Sequence, residues 1–199
     1  MRPIGQVPGS GELITAISAG LTTYMRRCTI IIPVYNAFAE TLMCIRSVLQ
    51  STRAPYRLLV VDDASPQGEL ARFLPQDMLR HPLLTLCRNG TNLGFVKTCN
   101  WAMRQALPDD VVLLNSDTEV TSGWLERLVE AAYSRAEIGS VTPLTNNGEI
   151  ASVPRFLKEN SIPPGYNLEQ YAILIEAAAA REYVEIPTCV GFCTYLKRE

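Results

Sequence analysis

The feature that most limits the fold is an apolar run with no polar break, Thr29-Ile-Ile-Ile-Pro-Val-Tyr35. Three consecutive isoleucines cannot alternate between water and a core. The strand they form must be covered on both faces, as in a parallel sheet sandwiched between helices. The run recurs in shorter form: Arg57-Leu-Leu-Val-Val-Asp62, residues 83–87, Val111-Val-Leu-Leu-Asn115 and residues 139–142 read as four further strands. Between them the apolar positions switch to helical spacing. Leu42, Ile45, Val48 and Leu49 mark one helix, and residues 66–79 a second. A third spans 93–107 with Trp101 on its apolar side, and a fourth spans 124–133 with Leu125, Leu128 and Val129 inward. Buried strands joined by helices predict an α/β domain with a mainly parallel central sheet flanked by helices.

After residue 142 the pattern becomes turn-rich, with Pro143, Asn146-Asn147-Gly148, Pro154 and Pro163-Pro164-Gly165. A loop of that length inside a compact domain is usually functional or mobile. A helix over 168–182 and a strand over 184–196 are expected to close the chain. Residues 1–27 read as a separate linker and short helix, Gly- and Pro-rich at first and then carrying Leu13, Ile14, Ile17 and Leu21 at helical spacing. The domain proper is expected over 28–199.

Composition excludes several classes. Hydrophobic residues at 47% and charged residues at 19% describe a globular chain. A net charge of -2 argues against a nucleic-acid partner, which needs clustered Lys and Arg. No apolar run reaches the roughly 18 residues of a transmembrane segment, and Glu12 interrupts the only stretch resembling a signal-peptide core. Six cysteines without a close C-x-x-C pair imply free thiols and a reducing, cytoplasmic compartment, with peripheral attachment at a membrane still compatible. The single histidine, His81, precedes Pro82 and reads as an exposed loop residue, so neither a Ser-His-Asp triad nor a multi-His metal site is available.

In parallel α/β sheets ligands bind beyond the carboxyl ends of the strands, and the polar residues collect there. The first strand ends in Pro33-Val-Tyr-Asn36, where Pro33 is expected to stop the sheet ladder and Tyr35-Asn36 to offer an aromatic face and an amide. The second ends in Asp62-Asp63-Ala-Ser65. Two adjacent carboxylates need hydrogen-bond donors or a cation nearby. The fourth ends in Asn115-Ser116-Asp117-Thr-Glu119, an oxygen-rich cluster suited to a hard cation such as Mg2+ or Mn2+ on phosphates. Asn89-Gly-Thr-Asn-Leu-Gly94 lies between the third strand and the next helix, and its glycines permit close backbone approach to a ligand. Each cluster has a competing reading as a helix cap. Ser65 or Asp63 would cap a helix starting at Pro66, and Asp117 or Thr118 would start the helix at Trp124.

Taken together and in order, Pro33-Val-Tyr-Asn36, Val61-Asp62-Asp63-Ala-Ser65, Asn92-Leu-Gly94 with Asn100, and Leu114-Asn115-Ser116-Asp117 resemble the family-2 (GT2) glycosyltransferases of GT-A fold. The likeness is to bacterial rhamnosyltransferase-like members that build polysaccharides, and it covers about residue 28 to the C-terminus. It implies a nucleotide-diphospho-sugar donor, a divalent metal (Mg2+ or Mn2+), a glycan or lipid-linked acceptor, and transfer to a hydroxyl with inversion. Pro33, Tyr35 and Asn36 would then line the nucleotide pocket. Asp63 would accept a hydrogen bond from the base, with Asp62 and Ser65 shaping the turn. Asn92, Gly94 and Asn100 would flank the nucleotide. Asn115, Ser116 and Asp117 would face the diphosphate, and Asp117 would bind the metal. Gly191-Phe192 and Lys197-Arg198 resemble the later acceptor-side strand.

Two departures from the family pattern stand out. Asn115 occupies the first acidic position of the D-x-D motif, with Glu119 four residues on. The family's catalytic base follows the acceptor-side strand, and Glu199 is the last residue, so the domain is expected to be truncated before its base and no catalytic residue is assigned. The alternative is a catalytically incomplete nucleotide-sugar binding module of a larger protein. A Rossmann oxidoreductase is excluded because Pro33-Val-Tyr-Asn stands where G-x-G-x-x-G belongs, and a P-loop NTPase because no G-x-x-x-x-G-K-[ST] exists.

Overall fold

The computed structural model describes residues 27–66, 68–180 and 182–198, so residues 1–26 of the expected linker and helix lie outside the described residues. The order of elements is β1 (Cys28–Val34), α1 (Phe38–Ser51), β2 (Tyr56–Asp62), α2 (Leu70–Phe73), α3 (Gln76–Leu79), β3 (Leu84–Arg88), α4 (Phe95–Gln105), β4 (Asp110–Leu114), α5 (Trp124–Tyr133) and β5 (Ser140–Val141). A 3-10 turn (Glu149–Ala151), α6 (Leu168–Ala178) and β6 (Cys193–Leu196) follow. The sheet runs β3-β2-β1-β4-β6-β5. The first four strands are mutually parallel, and β6 is antiparallel to both β4 and β5. β5 therefore runs in the same direction as β4.

The isoleucine run has the burial its composition demanded. Ile30, Ile32 and Val34 join α1 and α5 in one core, with Phe38, Ile45, Val48, Trp124, Leu125 and Leu128. Ile31 faces the other way, into a smaller core with Leu59, Val61, Val111 and the α4 residues Ala102 and Ala106. Odd and even positions of one strand thus serve different cores. Each fully buried isoleucine contributes on the order of 1.5–3 kcal/mol.

Four expectations are corrected. The helix over 66–79 is two short helices, because Pro75 supplies no amide hydrogen and the chain before residue 70 is taken up by the turn after β2. The closing strand shrinks from 184–196 to Cys193–Leu196: Pro187 and Gly191 interrupt the run, and residues 184–188 are exposed. The last helix stops at Ala178, where Ala179 turns extended. Pro33 does not stop the ladder on the β2 side, where it stays in register with Val61 and the pairing continues to Val34. Cys28 and Val34 bond toward β2, so odd residues such as Pro33 face β4. On that side the pairing has already ended at Ile31 opposite Leu113, and no amide is missed.

The amino edge of the sheet is closed by a second Asp-Asp pair. Asp109 accepts from Thr29 Oγ1 at 2.8 Å, Arg57 Nε at 3.0 Å and Arg27 Nε at 3.3 Å. Asp110 accepts from the Tyr133 and Tyr195 hydroxyls, both at 2.7 Å, and from Arg198 N–H at 2.6 Å. Burial, and then the Asp110 hydrogen bond, pushes the Tyr195 hydroxyl pKa upward, so the phenol stays a donor. Asp110 thereby ties α5 and β6 to β4. Asp110→Ala leaves the buried Tyr195 hydroxyl without its acceptor and should cost about 1–3 kcal/mol in urea denaturation.

Candidate functional site

The carboxyl edge of the sheet gathers the exits of β1, β2, β3 and β4. At β2 the two aspartates divide their work. Asp62, 1% exposed, is consumed by its own turn. Its Oδ1 accepts from Ser65 N–H at 2.9 Å, and its Oδ2 accepts from Leu70 N–H at 3.5 Å and from Arg88. Arg88 also donates to the carbonyls of Gly68 at 2.8 Å and Ser65 at 3.1 Å, which clamps the β2 exit from the neighbouring strand. Ser65, also buried, accepts from Asn36 N–H at 2.9 Å through Oγ, and Asp63 N–H donates to Val34 carbonyl at 2.8 Å. The exits of β1 and β2 are therefore stitched together.

Asp63, 4% exposed, organises the loop after β3. Its Oδ1 accepts from Asn89 Nδ2 at 2.7 Å and Leu93 N–H at 2.9 Å, and its Oδ2 accepts from Gly94 N–H at 2.8 Å. Asn89 Nδ2 reaches Thr98 Oγ1 at 3.0 Å as well, and Asn89 N–H donates to Asp62 carbonyl at 2.9 Å. Gly94 has φ +78, a left-handed conformation that glycine adopts without strain. Burial raises the Asp63 pKa, but hydrogen bonds from Leu93, Asn89, Thr98 and Gly94 outweigh it and hold the carboxyl below its usual value.

The helix-cap readings fail here. No helix starts at Pro66, and α5 has Gly123 as its N-cap, with no side-chain cap. α1 likewise has Ala37 as its N-cap, without a side-chain cap, although Asn36 precedes it. Asn36, Ala37 and Ala64 all have positive φ (62°, 51° and 56°), a cost of about 1 kcal/mol or more each for a residue with a Cβ. The Asn36 Oδ1 is buried with no hydrogen-bond partner. Next to it Tyr35 is 51% exposed.

At β4, Asn115 N–H donates to Phe192 carbonyl at 2.8 Å, and the loop beyond is fixed to α1 by Val120 N–H to Ser47 Oγ at 3.0 Å. Cys44 lies beneath it, with Sγ 3.5 Å from Asn115 carbonyl. Burial, with Asp117 and Glu119 nearby and the Thr118 amide opposing, lifts that thiol to about 12, so it is no nucleophile. The Asp117 and Glu119 side chains are exposed and engage no hydrogen bond or ion pair among the described residues. No group of three or more His, Cys, Asp or Glu among the described residues is arranged to hold a metal alone. A hard cation held here would take one or two carboxylate oxygens from the protein and the rest from phosphate and water.

Of the sequence-derived residues, Pro33, Tyr35, Asn36, Asp62, Asp63, Ser65, Asn92 and Gly94 lie on one hydrogen-bonded set of strand exits. Asn115, Ser116 and Asp117 follow at the next exit along the same edge. Asn100 is exposed on α4 and is tied to none of them. Arg88, Asn89 and Thr98 were missed. Asn89 sits just past β3, the same positional signal the other strand ends gave, whereas nothing in the sequence links Arg88 to Asp62. His81 is half-buried rather than free, with Nδ1 accepting from Leu83 N–H at 3.4 Å.

Comparison with known proteins places the chain in a class. The fold is similar to that of the mannosyltransferase PcManGT from Pyrobaculum calidifontis, solved in complex with GDP-Man and Mn2+, with a TM-score of 0.52 and 22% identity. The match covers 67% of this chain and 43% of that one, so the chain spans less than half of the solved relative. That likeness defines a GT-A-type α/β fold. The family description "Glycosyl transferase family 2" matches residues 29–199, and the chain belongs to that family. A comparison with curated proteins finds no match.

The Asp63 hydrogen bonds set a pH signature. The folded-state pKa lies below the usual 3.8, so the stabilisation is complete above 3.8 and is lost as pH falls through the lower folded value. Thermal melts of wild type and Asp63→Asn should show a stability gap that is constant from pH 7 to about 5 and narrows at more acidic pH.

Proposed function

We propose that residues 28–199 form the donor domain of an inverting glycosyltransferase, which binds a nucleotide-diphospho-sugar across the exits of β1, β2, β3 and β4. The observation that carries the reading is the unsatisfied acceptor at Asn36 Oδ1, beside an exposed tyrosine ring, on backbone held in a costly conformation by Ser65. A buried acceptor without a partner costs about 1–3 kcal/mol, which a donor group on a ligand would offset. The Tyr35 ring gives a base a face to stack on. Asp63 has its lone pairs taken up by the loop 89–94 and by Thr98, so its main work is to hold that loop.

Asp117 would hold Mg2+ or Mn2+, and Glu119 is a second exposed carboxylate on the same loop. When bound, such a cation neutralises charge on a departing diphosphate. That the similar mannosyltransferase was solved with GDP-Man and Mn2+ supports this assignment. Transfer would proceed by attack of a hydroxyl of a glycan or lipid-linked acceptor on the anomeric carbon, opposite the diphosphate, with a carboxylate taking the proton. No such base is assigned among the described residues. With no base assigned, the second reading is a catalytically incomplete nucleotide-sugar binding module of a larger protein. Free thiols at all six cysteines support a reducing, cytoplasmic setting, and no helix among the described residues is long and apolar enough to cross a membrane.

Calorimetry with UDP-, dTDP- and GDP-sugars tests the reading. Binding to at least one should require Mn2+ or Mg2+, should vanish in Asp117→Ala and should weaken about ten-fold or more in Asp63→Ala. Absence of binding to every donor, or wild-type affinity in Asp117→Ala, contradicts it. Transfer to an acceptor separates the enzyme from the binding module.

A further inference from the structure

The carboxyl edge continues past β4. β5 runs with β4 and β6 runs against both, so the chain leaves this edge after Val141 and returns to it before Cys193. Across the edge, the nucleotide-side exits of β3, β2 and β1 come first, then Asp117 at β4, then the segment that connects β5 to β6. Its first part, 145–160, is an unusually well-fastened loop. Thr145 bridges Ser152, with Thr145 N–H to Ala151 carbonyl at 3.0 Å and Val153 N–H to Thr145 carbonyl at 2.9 Å.

The loop is knotted by Asn160, 3% exposed. Asn160 Nδ2 donates to the carbonyls of Lys158 at 2.8 Å, Arg155 at 3.1 Å and Asn146 at 3.3 Å, and Oδ1 accepts from Arg155 N–H and Nε, both at 3.1 Å. Gly148 then packs the knot against the sheet. A Cβ there would lie 2.3 Å from the Thr145 methyl and 3.2 Å from the Phe192 ring. Phe192 is the residue whose carbonyl receives Asn115 N–H. A rigid path thus runs from the Asn160 knot through Gly148 and Phe192 to Asn115, two residues from Asp117.

The residues on either side of Gly148 use none of this scaffolding with their side chains. Asn147 and Glu149 are exposed, and Glu149 is held at φ +49. Leu157 N–H donates to Glu149 carbonyl at 3.2 Å, which fastens the backbone next to Phe156, itself 62% exposed, to that of Glu149. An amide, a carboxylate and an aromatic face on a pre-ordered loop suit the hydroxyls and apolar C–H face of a pyranose ring. We propose that loop 145–160 is a sugar-reading wall of the site, with Asn147, Glu149 and Phe156 as specificity-determining residues. The inference rests on the donor reading above. The pyranose is either the sugar carried by the donor or that of the acceptor.

The test uses the whole chain with Mn2+, and Asn147→Ala, Glu149→Ala and Phe156→Ala singly and combined. Calorimetry with GDP against GDP-mannose and UDP against UDP-glucose measures what the sugar adds to the nucleotide. Saturation-transfer NMR with methyl glycosides, in the presence of nucleotide and Mn2+, measures acceptor contact. All three side chains are exposed, so the variants should melt as wild type does. Nucleotide affinity should stay within about two-fold, while the sugar increment falls about ten-fold or the glycoside signals disappear. The first result assigns the wall to the donor sugar and the second to the acceptor. Both quantities unchanged in the combined variant, or neither present in wild type that binds nucleotide, overturns the proposal. Failure of wild type to bind any nucleotide overturns the donor reading and this inference with it.

Discussion

Ile30, Ile31 and Ile32 are consecutive and fully buried, which requires helices on both faces of the sheet that contains them. Once both faces are closed, polar chemistry has only the two edges of the sheet. The two Asp-Asp pairs show how differently those edges are used. Asp109-Asp110 at the amino edge is closed off by arginine, threonine and tyrosine donors and ties β4 to β1, β2, α5 and β6. Asp62-Asp63 at the carboxyl edge builds the turns that follow β2 and β3. The dipeptide is the same, and its place relative to the strand decides its work.

Within the carboxyl edge, satisfied and unsatisfied groups separate cleanly. Asp62, Ser65 and Arg88 spend their hydrogen-bonding capacity on one another and on the backbone. Asp63 and Asn89 do the same for the loop 89–94. What remains is Asn36 Oδ1, buried without a partner, and the exposed Tyr35 ring and Asp117 and Glu119 carboxylates. A frame whose polar atoms are paired, around a few groups that are not, is the arrangement expected of a preorganised binding site.

Much of this was legible in the sequence because it is local. Strand runs such as 29–35 and 57–62 declare themselves by composition, and the polar residues directly after them fall at one edge once the strands are parallel. What was not legible depends on distant partners. The Arg88 contact with Asp62 joins residues 26 apart, and nothing in either segment announces it. Helix capping competed with ligand binding for Ser65 and Asp117 on local grounds, and long-range bonds such as Asn36 N–H to Ser65 Oγ decided against it for Ser65. The strand expected over 184–196 shows the converse error: the valine and isoleucine there suit a strand, but only Cys193–Leu196 finds a neighbour to pair with.

The most direct measurement of the central claim is paramagnetic broadening by Mn2+ in the isotope-labelled protein saturated with a nucleotide diphosphate. The account predicts that amide signals broaden around Asn115–Asp117, Tyr35–Asn36 and the turn after Asp63, while those of Asp109 and Asp110 at the opposite edge stay sharp. Broadening centred on the amino edge, or none that depends on the nucleotide, would contradict it.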